Sequence, residues 1–215
     1  MVPLVIIGNG GHSKVIQEMA SLSDQYEVIA ILDDCVTEIK MIENIVHGPS
    51  AIVNEFTQQE TKFFIAIGDN SARQRVYQKL RLADHQYATL IHPSAIISQS
   101  ASIGFGTAVM PNSVINADAR VGSHCILNTG SIIEHDSLLH DFVHISPNST
   151  LTGSVKIGTG VHIGASATVI PGKEIGVWTV IGAGAAVIGD IPSHCLAAGV
   201  PAKIKKNHKI RRREA

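Results

Sequence analysis

Hydrophobic positions follow two different rhythms along this chain. From Ile91 onward, steps of six residues land on Ile97, Ile103, Val109, Ile115, Val121, Leu127, Ile133, Leu139, Ile145, Leu151, Ile157, Ile163, Val169, Ile175, Ile181 and Val187, so all seventeen positions in one phase are Ile, Leu or Val. Those three residue types fill 59 of the 215 positions, and such a run arises by chance on the order of once in a billion trials. A six-residue period matches neither the helical repeat of about 3.6 nor the strand repeat of about 2. It predicts a parallel β-helix, in which short strands alternate with sharp turns and each Ile, Leu or Val points into a narrow interior. Four residues after each member the side chain is small or β-branched, as at Ala95, Ala101, Thr107, Ser113, Ala119 and Cys125, with Lys173 and Ile191 outside the rule. Glycine often follows the member directly, at Gly104, Gly122, Gly158, Gly164, Gly176 and Gly182, which reads as relief of the corner.

The first 85 residues carry a different pattern. Val2–Ile7 reads as a buried strand, Gly8-Asn9-Gly10-Gly11-His12 as a tight loop and Ser13–Ser21 as a helix. Glu27–Leu32 is a second apolar strand ending in Asp33-Asp34, and Lys62–Ile67 a third, followed by Gly68 and a helix with Arg73, Arg75 and Lys79. Strand, Gly-rich loop, helix, strand and acid is the order of mononucleotide-binding βαβ units, whose ligands sit at the carboxyl edge of the sheet. The expected organisation is an α/β, Rossmann-like βαβαβ domain over residues 1–85, then a β-helix with a C-terminal tail over 86–215. The loop lacks the GxGxxG fingerprint, which argues against NAD. Asn9, Gly10, Gly11, Asp33, Asp34 and Gly68 are the candidate ligand-binding residues, with His12 beside them; Asp33 and Asp34 also fit a simple turn-capping role.

Composition narrows the function. With 17 Lys+Arg against 18 Asp+Glu and 4% aromatic residues, the surface is not built to neutralise phosphates and stack bases, so nucleic acid is excluded as a partner. No apolar run approaches the roughly 18 residues of a membrane helix, and no basic segment precedes Val2–Ile7, so a cytoplasmic protein is expected. Cys35, Cys125 and Cys195 are odd in number and form no CxxC, which predicts three buried, reduced thiols and no cysteine metal site.

The six-residue run resembles the hexapeptide repeat of left-handed β-helices, in which three hexapeptides close one triangular coil of eighteen residues. That resemblance implies five to six coils here, homotrimers with active sites between neighbouring prisms, and acyl transfer from acetyl-CoA or an acyl carrier. Positions eighteen apart then stack. Ser146, Gly164 and Gly182 form one column, Pro147, Ala165 and Ala183 the next, and the small residues there either leave a groove for an extended pantetheine arm or simply suit the corners. His144 and His162 stack as well, His144 near the thioester and His162 at the surface or between subunits.

The order of parts across residues 2–206, a GNGGH nucleotide-binding domain followed by a β-helix carrying IEHD, HISP and a closing AGVPAK, resembles the bacterial hexapeptide-repeat sugar acetyltransferases. Among them are enzymes acting on UDP-linked 4-amino sugars, sialic acid O-acetyltransferase-like proteins and a bacillus exopolysaccharide acetyltransferase. The resemblance implies His135 as catalytic base with Asp136, a Glu in the family, as its acid. It implies a UDP-sugar site at Asn9, Gly10, Gly11, His12, Asp33, Asp34 and Gly68, and acetyl-CoA contacts at His144, Ala165 and Ala183. Lys203, Lys205 and Lys206 would meet coenzyme phosphates, and Lys209–Arg213 would form a solvated tail. The implied reaction is N-acetylation of a UDP-linked 4-amino sugar for a surface polysaccharide, without a metal. Acetyl transfer to an amine needs a base near neutrality, and an imidazole held by a carboxylate supplies one; either Glu134 or Asp136 could orient the ring. The alternatives are sugar O-acetylation, a zinc hydratase using His135 and His140, and a non-catalytic trimeric binding protein.

Overall fold

The protein is described here from a computed structural model, which covers residues 1–57 and 60–207. Its first part runs β1 (Val2–Ile7), α1 (Gly11–Ser21), β2 (Tyr26–Leu32), β3 (Lys40–Ile42), β4 (Ile45–Gly48), β5 (Lys62–Ile65) and α2 (Asn70–Leu80). The strand order is β3-β4-β2-β1-β5, with β1 parallel to β2 and β5, β2 parallel to β4, and β3 antiparallel on the edge. β1 is continuously apolar because both of its faces are covered. Leu4 and Ile6 pack with Ile16 and Met19 of α1, while Val5 and Ile7 pack with Phe63, Ile65 and the apolar side of α2.

The sequence pattern missed the β3–β4 hairpin. Its strands are too short for an alternation to show, and the turn is carried by Glu43 and Asn44, both left-handed at φ 50° and 64°, as a two-residue hairpin turn requires. β5 ends at Ile65, two residues earlier than expected, and α1 begins at Gly11.

From Leu90 the chain forms two-residue strands, each an outward residue followed by a repeat member, stacked eighteen residues apart. Three sheets result. The first holds eight strands, from Leu90–Ile91 through His144–Ile145 and His162–Ile163 to Lys203–Asn207; the second holds six and the third five. From Val109 to Val187 every repeat member is buried in one continuous core. The first three depart from expectation: Ile91 is 47% exposed and Ile97 and Ile103 are only half-buried. No coil lies beneath them, and the N-terminal domain packs against the side of the prism through Leu90 instead of under it.

The corners also work differently from the sequence reading. Left-handed backbone falls three residues after each member from Ile103 to Ile181, at Asn112, Asp118, His124, Asp136 and Phe142 among others. The glycines directly after the members serve close stacking: a Cβ on Gly164 would lie 2.5 Å from the Ala183 nitrogen, and one on Gly158 2.7 Å from the Val177 nitrogen. Cys195–Ala198 continues the first face, parallel to Val180–Ile181, so the chain leaves the β-helix within AGVPAK, at Gly199–Pro201, and returns antiparallel as Lys203–Asn207. The basic stretch Lys209–Arg213 lies outside the described residues. Of the three cysteines, Cys125 and Cys195 are buried but Cys35 is exposed, against expectation, because it sits in the turn that leaves β2.

Candidate functional site

The first site is built at the carboxyl ends of the parallel strands. β1 ends at Gly8, whose φ of 110° only glycine adopts freely and whose Cβ would press on the Ala66 carbonyl at 3.1 Å. β2 ends at Asp33, whose two oxygens accept from the Asn9 and Cys35 N–H groups, each at 2.8 Å. Asp33 therefore fastens the Gly-rich loop to the β2 turn, combining the capping role with a place at the site. Asp34 accepts from the Ser50 hydroxyl and pairs with Lys79, whose Nζ is 2.9 Å from each carboxylate oxygen. The Ser50 hydrogen bond, then Lys79, holds the Asp34 carboxyl below its ordinary range. Gly8, Asp33, Asp34, Ser50, Ile67 and Lys79 line one cavity of about 80 Å³. Ser50 and Lys79 were not among the sequence candidates; a lysine on an amphipathic helix carries no signal until the fold brings it to Asp34. Gly10 and Gly11 open α1, with open space at their α-carbons.

The second site lies where this domain meets the β-helix. Gly68 O accepts from His144 Nδ1 at 3.3 Å, and His144 Nε2 then accepts from Asn128 Nδ2 at 3.2 Å. His144 also stacks face to face on His162, centroids 4.6 Å apart. Burial, with His162, Arg73 and His12 nearby, pushes the His144 imidazole down to about 3. It is thus a neutral connector between domains, with both nitrogens engaged. His162, expected at the surface or between subunits, is half-buried within its own chain and bonded to Ser146 Oγ at 2.8 Å. His12 lies beneath the loop, its Nε2 buried without a partner among the described residues and its pKa lowered to about 4 by burial and Arg73. A cleft of about 420 Å³ runs between Gly68–Ser71 and His144, His162 and Trp178.

Arg73 and Asn70 hold this junction together, and neither was singled out from sequence. Arg73 is 1% exposed and forms no salt bridge among the described residues. Its Nε donates to His124 O at 2.8 Å, one terminal nitrogen to Ile67 O at 2.8 Å, and the other to Phe142 O at 3.1 Å and Asn70 Oδ1 at 2.9 Å. Asn70 Nδ2 donates to Gly160 O at 3.1 Å. The carbonyls of residues 124, 142 and 160 are equivalent corners of three successive coils. Arg73 and Asn70 together cap a ladder with the eighteen-residue period of the β-helix.

The third group is His135–Asp136. Both side chains are 60% exposed, and His135 Nδ1 lies 2.8 Å from Asp136 Oδ2. The carboxylate accepts, so Nδ1 carries the proton and Nε2 presents its lone pair to solvent. This hydrogen bond raises the His135 pKa above its ordinary value. Asp136, not Glu134, orients the ring: the pair sits on a corner, where Asp136 at φ 59° turns back toward its neighbour. His140 lies at the far end of the Leu138–Leu139 strand, away from His135. Among the described residues no group of three His, Cys, Asp or Glu side chains could hold a metal.

Ala165 and Ala183 are exposed on the corner between the first and second faces. The Ser166 N–H donates to Pro147 O at 2.9 Å and the Gly184 N–H to Ala165 O at 2.8 Å, which ties the corner and leaves the alanine N–H groups outside that ladder. His135 lies on the next corner, between the second and third faces. The chain therefore brings Gly68, His144 and the N-terminal loops together but holds His135 on a different edge of the prism from Ala165 and Ala183.

A domain of this kind joined to a hexapeptide β-helix, with a carboxylate-held imidazole on a prism edge, defines the class of left-handed β-helix acyltransferases. Comparison with known proteins makes this specific. The model of the PglD N-terminal domain family matches residues 3–80. A histidine-to-asparagine variant of perosamine N-acetyltransferase from Caulobacter crescentus, in complex with CoA and GDP-perosamine, is 40% identical over 95% of this chain and 97% of its own, with a TM-score of 0.87. The acetyltransferase domain of PglB from Neisseria gonorrhoeae, in complex with acetyl coenzyme A, is 34% identical over 94% and 98%, with a TM-score of 0.84. UDP-N-acetylbacillosamine N-acetyltransferase of Bacillus subtilis is 44% identical over 108 residues, 49% of this chain and 50% of its own length, so the match spans about half of that curated relative. The chain belongs to the hexapeptide-repeat sugar N-acetyltransferases.

Proposed function

We propose that the protein transfers the acetyl group of acetyl-CoA to the amino group of a nucleotide-linked 4-amino sugar, with His135 as general base. The observation that carries this is the hydrogen bond from His144 to Gly68 O. It fixes the last loop of the nucleotide-type site against the β-helix face next to the Ala165/Ala183 corner, so acceptor and acetyl donor would share one region. In the step, the sugar nitrogen attacks the thioester carbonyl, its proton passes to His135 Nε2, and the CoA thiolate leaves as the tetrahedral intermediate collapses. Asp136 keeps the proton on Nδ1 and stabilises the imidazolium.

Gly8–Gly11, Asp33, Asp34 and Gly68 would hold the nucleotide sugar, with Lys79 adding a cation beside Asp34. The corner at Ala165 and Ala183 would take the pantetheine amides, and Lys203 and Lys205 the coenzyme phosphates as point charges. Because His135 stands on another edge, a complete site takes His135 from one protomer and the groove from its neighbour, which supports a homotrimer. The product would serve surface-glycan synthesis, and the two co-substrates, both cytoplasmic metabolites, support a reaction in the cytoplasm; no described helix is long and apolar enough to cross a membrane.

The test is CoA release from acetyl-CoA with UDP- and GDP-linked 4-amino-4,6-dideoxy sugars, since the relatives name both nucleotides, with UDP-N-acetylglucosamine as the amine-free control. Turnover with an amino sugar alone is the expected result. Turnover with the control instead would establish O-acetylation.

A further inference from the structure

Gly153 has no conformational reason to be glycine. It is absent from the left-handed positions, unlike Gly130, Gly160 or Gly172. It does not directly follow a repeat member, where the close-stacking glycines lie. It stands two residues after Leu151, and of the seventeen hexapeptides only this one and the last, at Gly189, lack a side chain at that place. The three atoms nearest a Cβ built on Gly153 all belong to the imidazole of His135, one coil earlier: Cε1 and Nε2 at 2.7 Å and Cδ2 at 3.4 Å. Glycines of the stacking type each have backbone among their three nearest atoms, as Gly164 meets Ala183 N and Gly176 meets Ser193 N.

We propose that Gly153 is a positioning residue for the acetyl-transfer base, its bare α-carbon forming the seat on which the His135 ring rests. The inference rests on the reading of His135 as that base. An exposed imidazole bonded only through Nδ1 still pivots about that bond. The seat, together with Asp136, leaves one ring plane and so one direction for the Nε2 lone pair. The neighbouring backbone supports the register, because the Ser154 N–H donates to His135 O at 2.8 Å. Any larger residue at 153 drives the ring away by about 1 Å to reach ordinary contact, a displacement that costs on the order of 100-fold in rate when it affects a reacting group.

The experiment compares wild type, Gly153→Ala, His135→Ala and the double variant, each checked by thermal unfolding and assayed for acetyl transfer. In Gly153→Ala, kcat is expected to fall roughly 100-fold with both KM values unchanged. In the His135→Ala background the same substitution is expected to change neither the residual rate nor the melting temperature, because the ring it meets is gone. An active Gly153→Ala beside an inactive His135→Ala overturns the seat and leaves the base reading standing. An active His135→Ala overturns the base reading and the seat with it. A further loss of rate, affinity or stability in the double variant shows that the methyl group introduced at 153 meets something other than the ring, and also overturns the proposal.

Discussion

His135 and Asp136 show how much a single corner decides. The sequence marks them because an imidazole sits between two acids, but the rule that strand neighbours face opposite ways does not choose between Glu134 and Asp136. The left-handed backbone at Asp136 does. Since the Asp136 hydrogen bond is the largest cause raising the His135 pKa, Asp136→Asn should lower that pKa. If His135 is the base we propose, it works only when neutral, so the acid limb of kcat/KM should move to lower pH while kcat drops about 100-fold from loss of tautomer control. A pH–rate profile of the variant checks this; an unmoved limb would show that another group titrates there. Gly8 was legible at the same scale as part of a tight loop, whereas Gly153 was not, because its meaning lies in a ring eighteen residues away.

At the scale of elements, the β-helix strands were legible to the residue because the six-residue hydrophobic period follows from burying the members from Val109 to Val187 in one core. How α2 docks was not. Arg73 and Asn70 look like ordinary polar residues of an amphipathic helix, yet both are buried and together they answer carbonyls of three successive coils. Buried carbonyls stripped of their donor cost about 1–3 kcal/mol each. Arg73→Met, which keeps the stem but orphans Ile67 O, His124 O and Phe142 O, should therefore destabilise the fold by at least 3 kcal/mol or so. Denaturant unfolding measures it, with Asn70→Ala giving a smaller loss. A change under about 1 kcal/mol would mean that the aromatic cluster of Tyr77, Tyr87, His124 and Phe142 holds the domains together without the hydrogen bonds.

Two properties belong to the molecule as a whole. The first is acid sensitivity. His124 is 2% exposed, with neither ring nitrogen partnered among the described residues, and burial lowers its pKa to about 4. A histidine that is neutral when folded and ordinary when unfolded is protonated first in the unfolded state. Its stabilising contribution is therefore complete above about pH 6.5 and lost as pH falls toward 4, by about 3 kcal/mol at the low end. His12 and His144 act in the same direction. His124→Phe, a residue already accommodated in the next coil by Phe142 with the same left-handed φ, should flatten the loss of melting temperature between pH 7 and about 4.5. The second is the sharing of the active site between protomers that we propose. His135→Ala and Ala183→Trp should each be inactive, yet co-expressed chains should regain roughly a quarter of wild-type activity, because some interfaces of a mixed trimer pair an intact base with an intact groove. A site contained within one chain would give no recovery.

The hydrophobic period alone implied a parallel β-helix of stacked short strands, and the strand–loop–helix order implied a nucleotide-type domain before it. Both follow from local rules: which residues must be buried together, and where backbone must turn. The placement of His135 on one prism edge and Ala165 and Ala183 on another, the pairing of Lys79 with Asp34, the engagement of both His144 nitrogens and the capping of carbonyls 124, 142 and 160 all join residues distant in sequence. No periodicity records such contacts. They exist only once the coils are stacked and the N-terminal domain is packed against their side.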